Sequence, residues 1–196
     1  MGRLLIRLYE EEEDLSIYFV IDASASMGFG DGEKLRHAKR LVAALAYVGL
    51  ANLDRVTIVS ARDTVSGRMP ETRGKARIFR IFRFLREIRD LYAPAGFEKG
   101  ISVLRSAKFE PFVLPVADDA DRTPDVRGDV RVCDCETGDE REVTVTPKLL
   151  SRFAEAYDDH LKSVAKFCAQ KQVDYVRADV SLPFDELILR VFRQGG

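Results

Sequence analysis

The chain has 196 residues, enough for one domain whose core needs no disulfide or metal staple. Its 31 Lys and Arg against 32 Asp and Glu leave a formal net charge of −1, which excludes a global field for nucleic acid or an anionic membrane. The longest apolar run, Leu41 to Ala51, includes alanines, a tyrosine and a glycine and is shorter than the roughly 18 residues of a membrane span, so no span is expected.

In chain order, the opening "MGRLLIRLYEEEED" has no long apolar core and no small-residue cleavage site, so it does not read as a secretory signal. Leu4 to Tyr9 and Leu15 to Ile21 read as strands around an acidic turn, Glu10 to Asp14. The second is almost continuously apolar, as a central strand covered on both faces would be. After a glycine turn, Glu33 to Leu50 carries Leu35, Ala38, Leu41, Val42, Leu45 and Ala46 at helical spacing. Arg55 to Ala61 is a further buried strand, and the Thr-, Ser-, Gly- and Pro-rich stretch up to Gly74 reads as a loop. Lys75 to Arg89 and Phe97 to Ala107 are helices, and Phe109 to Ala117 is a strand. Asp129 to Cys135 and Arg141 to Thr146 flank "ETGDE", whose glycine suits a hairpin turn. Pro147 opens a long helix to about Lys171. Val173 to Val180 is a last strand and Pro183 to Arg193 a terminal helix.

Alternating strands and helices predict an α/β domain, a doubly wound and mainly parallel sheet with a β-hairpin insertion near 129–146. One place breaks the rhythm. The helices at 75–89 and 97–107 follow each other with no strand between them, although parallel strands need crossovers, so one central strand is expected to be missing.

Charge is segregated. Arg62 to Arg89 holds nine basic and three acidic residues, whereas Asp118 to Glu142 holds ten acidic and four basic. Phe79, Phe82 and Phe84 read as core, which leaves the arginines of that helix without exposed aromatics. A solvated face is then expected rather than a grip on an acidic partner or nucleic acid. The three cysteines, Cys133, Cys135 and Cys168, are an odd count and fit a reducing cytoplasm. The single C-x-C pair has no second ligand pair and does not make a zinc site.

The chemistry concentrates in "SIYFVIDASASMGFGDGEK", Ser16 to Lys34. Asp22 stands at the carboxyl end of a buried strand, where α/β sheets bind ligands. Alternate residues of an extended loop point the same way, so Asp22, Ser24 and Ser26 converge, while Ala23 and Ala25 stay small. Three hard oxygen donors, one anionic, suit Mg²⁺, which keeps open positions for water or another oxygen ligand. Serines also bond the backbone in turns, and that structural role competes with a ligand role for Ser24 and Ser26.

"VIDASASM" resembles the D-x-S-x-S metal-ion-dependent adhesion site of von Willebrand factor A (vWA) domains, and "LIRLYEEEEDLSIYFVIDASASM" resembles the DUF58 proteins, whose core is such a domain. "RGDVRVCDCETGDEREVTVT" is similar to that family's hairpin, and "DYVRADVSLPFDELILRVF" to its closing strand and helix, so the resemblance covers nearly the whole chain. It implies a Rossmann-like single domain over residues 1–196, binding of Mg²⁺ or Mn²⁺ and of proteins, and association with MoxR-type AAA+ ATPases through an acidic ligand residue. Asp22, Ser24 and Ser26 take the first-loop ligand roles. The family pattern also asks for a Gly-Thr-Asp loop, which does not occur between Lys75 and Lys108, and for an aspartate ending a later strand, for which "RDLYAPAGFEKG" offers Asp90. A strand and crossover helix of roughly 30 to 40 residues are expected to be absent here, as is the block that precedes the domain in the family. Metal binding is then expected to be weak or lost.

An enzyme is the rival class. "SASMG" approaches the G-x-S-x-G elbow with Ser26 as nucleophile, but Ser24 stands in place of the first glycine. The base would have to be His37 or His160, and both read as surface residues. A haloacid-dehalogenase-type phosphatase wants an aspartate where Ser24 stands. "GFGDGEK" lacks the Gly-Lys-Ser/Thr of a P-loop and the third glycine of a dinucleotide fingerprint. The expectation is a non-catalytic interaction module with a metal site. A metal-independent scaffold with a degenerate site is the alternative.

Overall fold

The computed structural model describes residues 15–28, 32–61, 65–88, 97–134 and 138–194. The expected strand Leu4–Tyr9, the acidic turn Glu10–Asp14, the junction at 89–96 with Asp90, and Cys135 lie outside these residues.

The first half is a three-stranded sheet. β1 (Ser16–Asp22) pairs in parallel with β2 (Arg55–Ala61), from Ser16 opposite Arg55 to Asp22 opposite Ala61, and α1 (Glu33–Ala51) makes the crossover. The segment read as a loop before Gly74 instead contains β3 (Val65–Thr72), antiparallel to β2. Its Gly67 and Pro70 are poor strand formers, but an edge strand accommodates them, and the β2–β3 register shifts at two places. Gly67 is required by close approach: a Cβ there would lie 2.9 Å from Ser60 Oγ and 3.6 Å from the Phe84 ring.

A 3-10 turn at Lys75–Arg77 leads into α2 (Ile78–Glu87). Ile78, Ile81 and Leu85 of α2 join Leu35, Ala46 and Leu50 of α1 over Val56, Ile58 and Met69 of the sheet, forming the first core cluster. Lys39 Nζ ties the two helices by donating to the Ile88 carbonyl at 2.5 Å. Full burial of a side chain such as Ile58, Ile81 or Leu50 contributes about 1.5–3 kcal/mol.

Two expectations are corrected here. β1 is not covered on both faces: Tyr18 is 44% and Val20 59% exposed. Among the described residues β1 is paired along one edge only, with β2. Tyr18 and Val20 lie on the same face of the strand, and the Tyr18 ring meets the Phe109 ring edge to face with centroids 5.6 Å apart. Phe79 and Phe82 are not core either, since Ile78, Ile81 and Leu85 already fill the buried stripe of α2 and the two rings project from its outer side.

The second half begins at α3 (Phe97–Ser106), followed by β4 (Phe112–Val113), β5 (Val116–Ala117) and the short α4 (Asp119–Arg122). β6 (Gly128–Cys133) and β7 (Glu140–Val145) form the expected hairpin, closed by Gly138 at φ 78°. Thr146 caps α5 (Pro147–Gln170) by accepting the Leu149 N–H at 3.2 Å, and β8 (Asp174–Tyr175), β9 (Ala178–Asp179) and α6 (Phe184–Gln194) complete the chain. β4 pairs with β8 and β5 with β9, both in parallel. The bonds Val176 N–H to Val113 O, Ala178 N–H to Pro115 O and Val180 N–H to Ala117 O, 2.9–3.0 Å long, make these pairs one ladder. Pro115 has no N–H to return, and so the expected strands 109–117 and 173–180 are each broken in two.

The architecture is α/β with parallel strand pairs in both halves. α1 lies between the halves. Leu35, Ala46 and Leu50 serve the first cluster, while Leu41 packs with Val176, Ala178, Leu187 and Val191 in a second. Ile101, Val164, Cys168 and Val173 form a third under α5. No helix among the described residues is long and apolar enough to cross a membrane.

Candidate functional site

β1 ends on Asp22, whose side chain is exposed at the carboxyl ends of the parallel pair β1 and β2. The loop beyond is tied down residue by residue. Ala23 is 1% exposed and donates its N–H to the Ala61 carbonyl at 3.0 Å, which keeps the chain beside β2 for one more residue. Asp22 Oδ1 accepts the Ser24 N–H at 2.9 Å, an Asx turn. The Met27 N–H then donates to the Ser24 carbonyl at 3.1 Å within the 3-10 turn Ala25–Gly28.

Ser24 is buried, Ser26 is exposed, and their Oγ atoms lie 3.1 Å apart. The structure thus brings three of the four expected ligands into one loop: Asp22 touches Ser24, and Ser24 touches Ser26. Asp90 lies outside the described residues. Adjacent ligands of an octahedral Mg²⁺ bound at about 2.0–2.1 Å stand roughly 2.9 Å apart, so the two hydroxyls are spaced as neighbouring ligands would be. The loop supplies one negative charge to such an ion. Among the described residues no group of three or more His, Cys, Asp or Glu is placed to hold a metal.

The same end of the molecule holds the start of α1. Gly32 caps it at φ 72°, a backbone state that glycine adopts at little cost. Lys34, in the first turn, is nearly buried and pairs with Asp121 of α4 at 2.8 Å, linking α1 to the end of β5. Nothing in the sequence singles out this pair, because Asp121 looks like any other acid of its tract.

His37, one turn further on, was expected at the surface but is 5% exposed. Its ring and that of Phe184 meet edge to face with centroids 6.4 Å apart, Arg40 lies over the same Phe184 ring at 5.4 Å, and its Nε2 has no hydrogen-bond partner among the described residues. Burial pushes its pKa below the ordinary value, Arg40 pushes in the same direction, and Glu33 opposes them. A serine nucleophile needs its base within hydrogen-bond reach. Ser26 lies against Ser24, His37 Nε2 bonds nothing, and His160 sits exposed on α5.

The sequence profile of the family described as "Protein of unknown function DUF58" matches residues 1–111, more than half of the chain. Uncharacterized proteins of Mycobacterium tuberculosis and Mycobacterium bovis are 26% identical to it over 82% of this chain and 61% of theirs, so the chain spans about three fifths of the length of these relatives. That alignment runs over 196 positions yet takes in about 161 residues of this chain, leaving about 35 positions of the relatives without a counterpart. Among solved structures, an aerotolerance-related membrane protein of Bacteroides fragilis superposes with a TM-score of 0.49 at 13% identity, over 92% of this chain and 98% of that one. BatB of Bacteroides thetaiotaomicron gives 0.47 at 14% over the same shares. The vWF domain of the pilus tip protein Mfa5 of Porphyromonas gingivalis gives 0.39 at 17%, over 54% of this chain and 38% of that one.

Proposed function

The chain belongs to the DUF58 family, and from that premise we propose that it is a non-catalytic protein-interaction module whose Asp22 loop holds Mg²⁺ or Mn²⁺ weakly and offers it to a carboxylate of a partner. One observation carries the reading: an exposed carboxylate at a strand end with two hydroxyl oxygens 3.1 Å apart beside it. Asp22, Ser24 and Ser26 would hold the ion, Asp90 would add the second acid, and water would fill the remaining positions. The partner class is a MoxR-type AAA+ ATPase, which would supply the ATP chemistry this chain lacks. The free thiols of Cys133 and Cys168 fit a reducing compartment, and the proposal places the protein in the cytoplasm.

Thermal melts with and without 10 mM metal test it. A ligand at ten times its Kd adds about 1.4 kcal/mol, or about 3–6 °C for a domain of this size, and Asp22→Ala abolishes the gain. Melts that millimolar Mg²⁺ and Mn²⁺ leave unchanged in both proteins sink the metal reading.

A metal-independent scaffold is favoured by a different observation: the Ser24 and Ser26 hydroxyls share a hydrogen bond, and Asp22 accepts a backbone N–H. Capture of a MoxR-type ATPase that EDTA does not disturb selects this scaffold. Capture lost on chelation selects the metal site.

A further inference from the structure

The outer side of α2 carries a second recognition surface. Phe79 is 75% and Phe82 45% exposed, and their rings meet edge to face at 6.2 Å and 89°. Phe79, Phe82, Arg83 and Arg86 stand at i, i+3, i+4 and i+7, which places them on one stripe of the helix. Arg83 and Arg86 are exposed, as are Arg80 and Arg77 beside them. Among the described residues no carboxylate lies within ion-pair distance of these four arginines, and Glu87 is the only acid on the helix.

The neighbouring stripe, Ile78, Ile81 and Leu85, is locked into the first core cluster, so the exposed stripe beside it is held on a rigid support. Among the described residues neither Phe79 nor Phe82 joins a core cluster. A helix needs one apolar stripe to pack, and α2 has a second one edged with cations.

We propose that this stripe docks an acidic segment of a partner protein, with apolar side chains of that segment packing on Phe79 and Phe82 and its carboxylates engaging Arg83 and Arg86. The surface is separate from the Asp22 loop and does not depend on a metal there. Charge complementarity identifies the occupant. Guanidinium forks take carboxylates in paired hydrogen bonds, and apolar anchors rimmed by opposite charge are the usual form of helix-face recognition.

Two other polyanions fit less well. A single-stranded nucleic acid stacks successive bases on flat aromatic faces, whereas these rings stand perpendicular to each other and share no platform. It also follows a long basic track, and the remainder of this chain offset the excess of positive charge on the segment Arg62 to Arg89, leaving −1 overall. A bilayer surface takes up a whole apolar helix face, and the main apolar face of α2 is already buried. A peptide matches the scale, since the stripe from Phe79 to Arg86 is roughly 10 Å long on a helix of 10 residues.

The test uses the full chain and three fluorescent probes: a random Glu/Tyr copolymer, which is acidic and apolar in one chain, a 20-nucleotide single strand, and vesicles with one third anionic lipid. Binding is measured by anisotropy at several salt concentrations, for the wild type, for Arg83→Glu with Arg86→Glu, and for Phe79→Ser with Phe82→Ser. All four positions are exposed, and circular dichroism melts confirm that each variant is folded. The proposal requires the copolymer to bind at least tenfold more tightly than the other probes. Each double variant must weaken it at least tenfold, and only the wild-type and serine proteins should retain a steep salt dependence. Copolymer binding that neither pair of substitutions alters overturns it, as does tighter binding of the oligonucleotide or the vesicles. EDTA leaves the result unchanged, which separates this surface from the metal reading.

Discussion

His37 couples stability to pH, and replacing it with phenylalanine should remove that coupling. In the folded protein the ring is 5% exposed, packed against Phe184 with Arg40 nearby, and its Nε2 is without a hydrogen bond. Desolvation, helped by Arg40 and opposed by Glu33, lowers its pKa below the ordinary 6.5. The unfolded chain therefore binds a proton on this residue before the folded one does. Stability is fully present above 6.5 and falls as pH drops from there toward the folded value, with a slope of at most about 1.4 kcal/mol per pH unit. The loss begins as pH falls through 6.5 and levels off once the pH is below the folded value. Asp158 also has a lowered pKa, from its hydrogen bond to Arg122, but that contribution is lost only near and below the carboxylate range and leaves this window clear. Urea melts at half-unit steps from pH 5.0 to 7.5 measure the slope. His37→Phe keeps an aromatic ring against Phe184 without the polar nitrogen, so whatever its stability at pH 7, its slope should be flat over the window. Equal slopes in the two proteins would falsify the assignment and place the proton uptake elsewhere.

Leu41→Ala should cost about 2–5 kcal/mol, because the side chain is 2% exposed and its removal opens a cavity between α1, the β5–β9 ladder and α6. Chemical denaturation at pH 7 checks it, and a loss under 1 kcal/mol would mean that the second cluster is not packed as described. Lys34→Met and Asp121→Leu should each cost about 2–3 kcal/mol, less than a fully buried pair because the side chains keep 11% and 17% of their exposure. Their double variant should cost at least 0.5 kcal/mol less than the two singles added together, and strict additivity would show that the pair is not coupled.

The legible parts of this protein are those written locally. Asp22, Ser24 and Ser26 lie within five residues, and an extended loop after a strand brings them together whatever surrounds it. β2 and α1 were readable for the same reason, since Arg55–Ala61 is a short buried run and Glu33–Ala51 carries one unbroken helical period. What failed depended on distant partners. Periodicity placed Ile78, Ile81 and Leu85 on the apolar side of α2, where the structure has them, but could not show that Phe79 and Phe82 stay exposed, because the edge of the buried stripe is set by Met69, Val56 and Leu50. His37 has the neighbours of a surface residue until α6, nearly 150 residues later, lays Phe184 against it. β3 was hidden because its turn-forming residues are tolerated only at an edge, and no sequence window reveals which strand will be an edge. The break in the alternation of elements at 89–96 was visible in the sequence, whereas the exposed face of β1, with Tyr18 and Val20, needed the structure.

The position of α1 between the two halves also sets an order of assembly. β1, α1 and β2 are neighbours in sequence, and the first cluster is complete once residue 88 has been made. The face of α1 that carries Leu41 must wait for Val176, Ala178, Leu187 and Val191, which leave the ribosome roughly 90 residues later. At synthesis rates of about 5–20 residues per second, that is an interval of roughly 4–20 s. During it a formed helix displays a leucine surface to the cell, and a chaperone that reads such surfaces would meet this protein before any partner does.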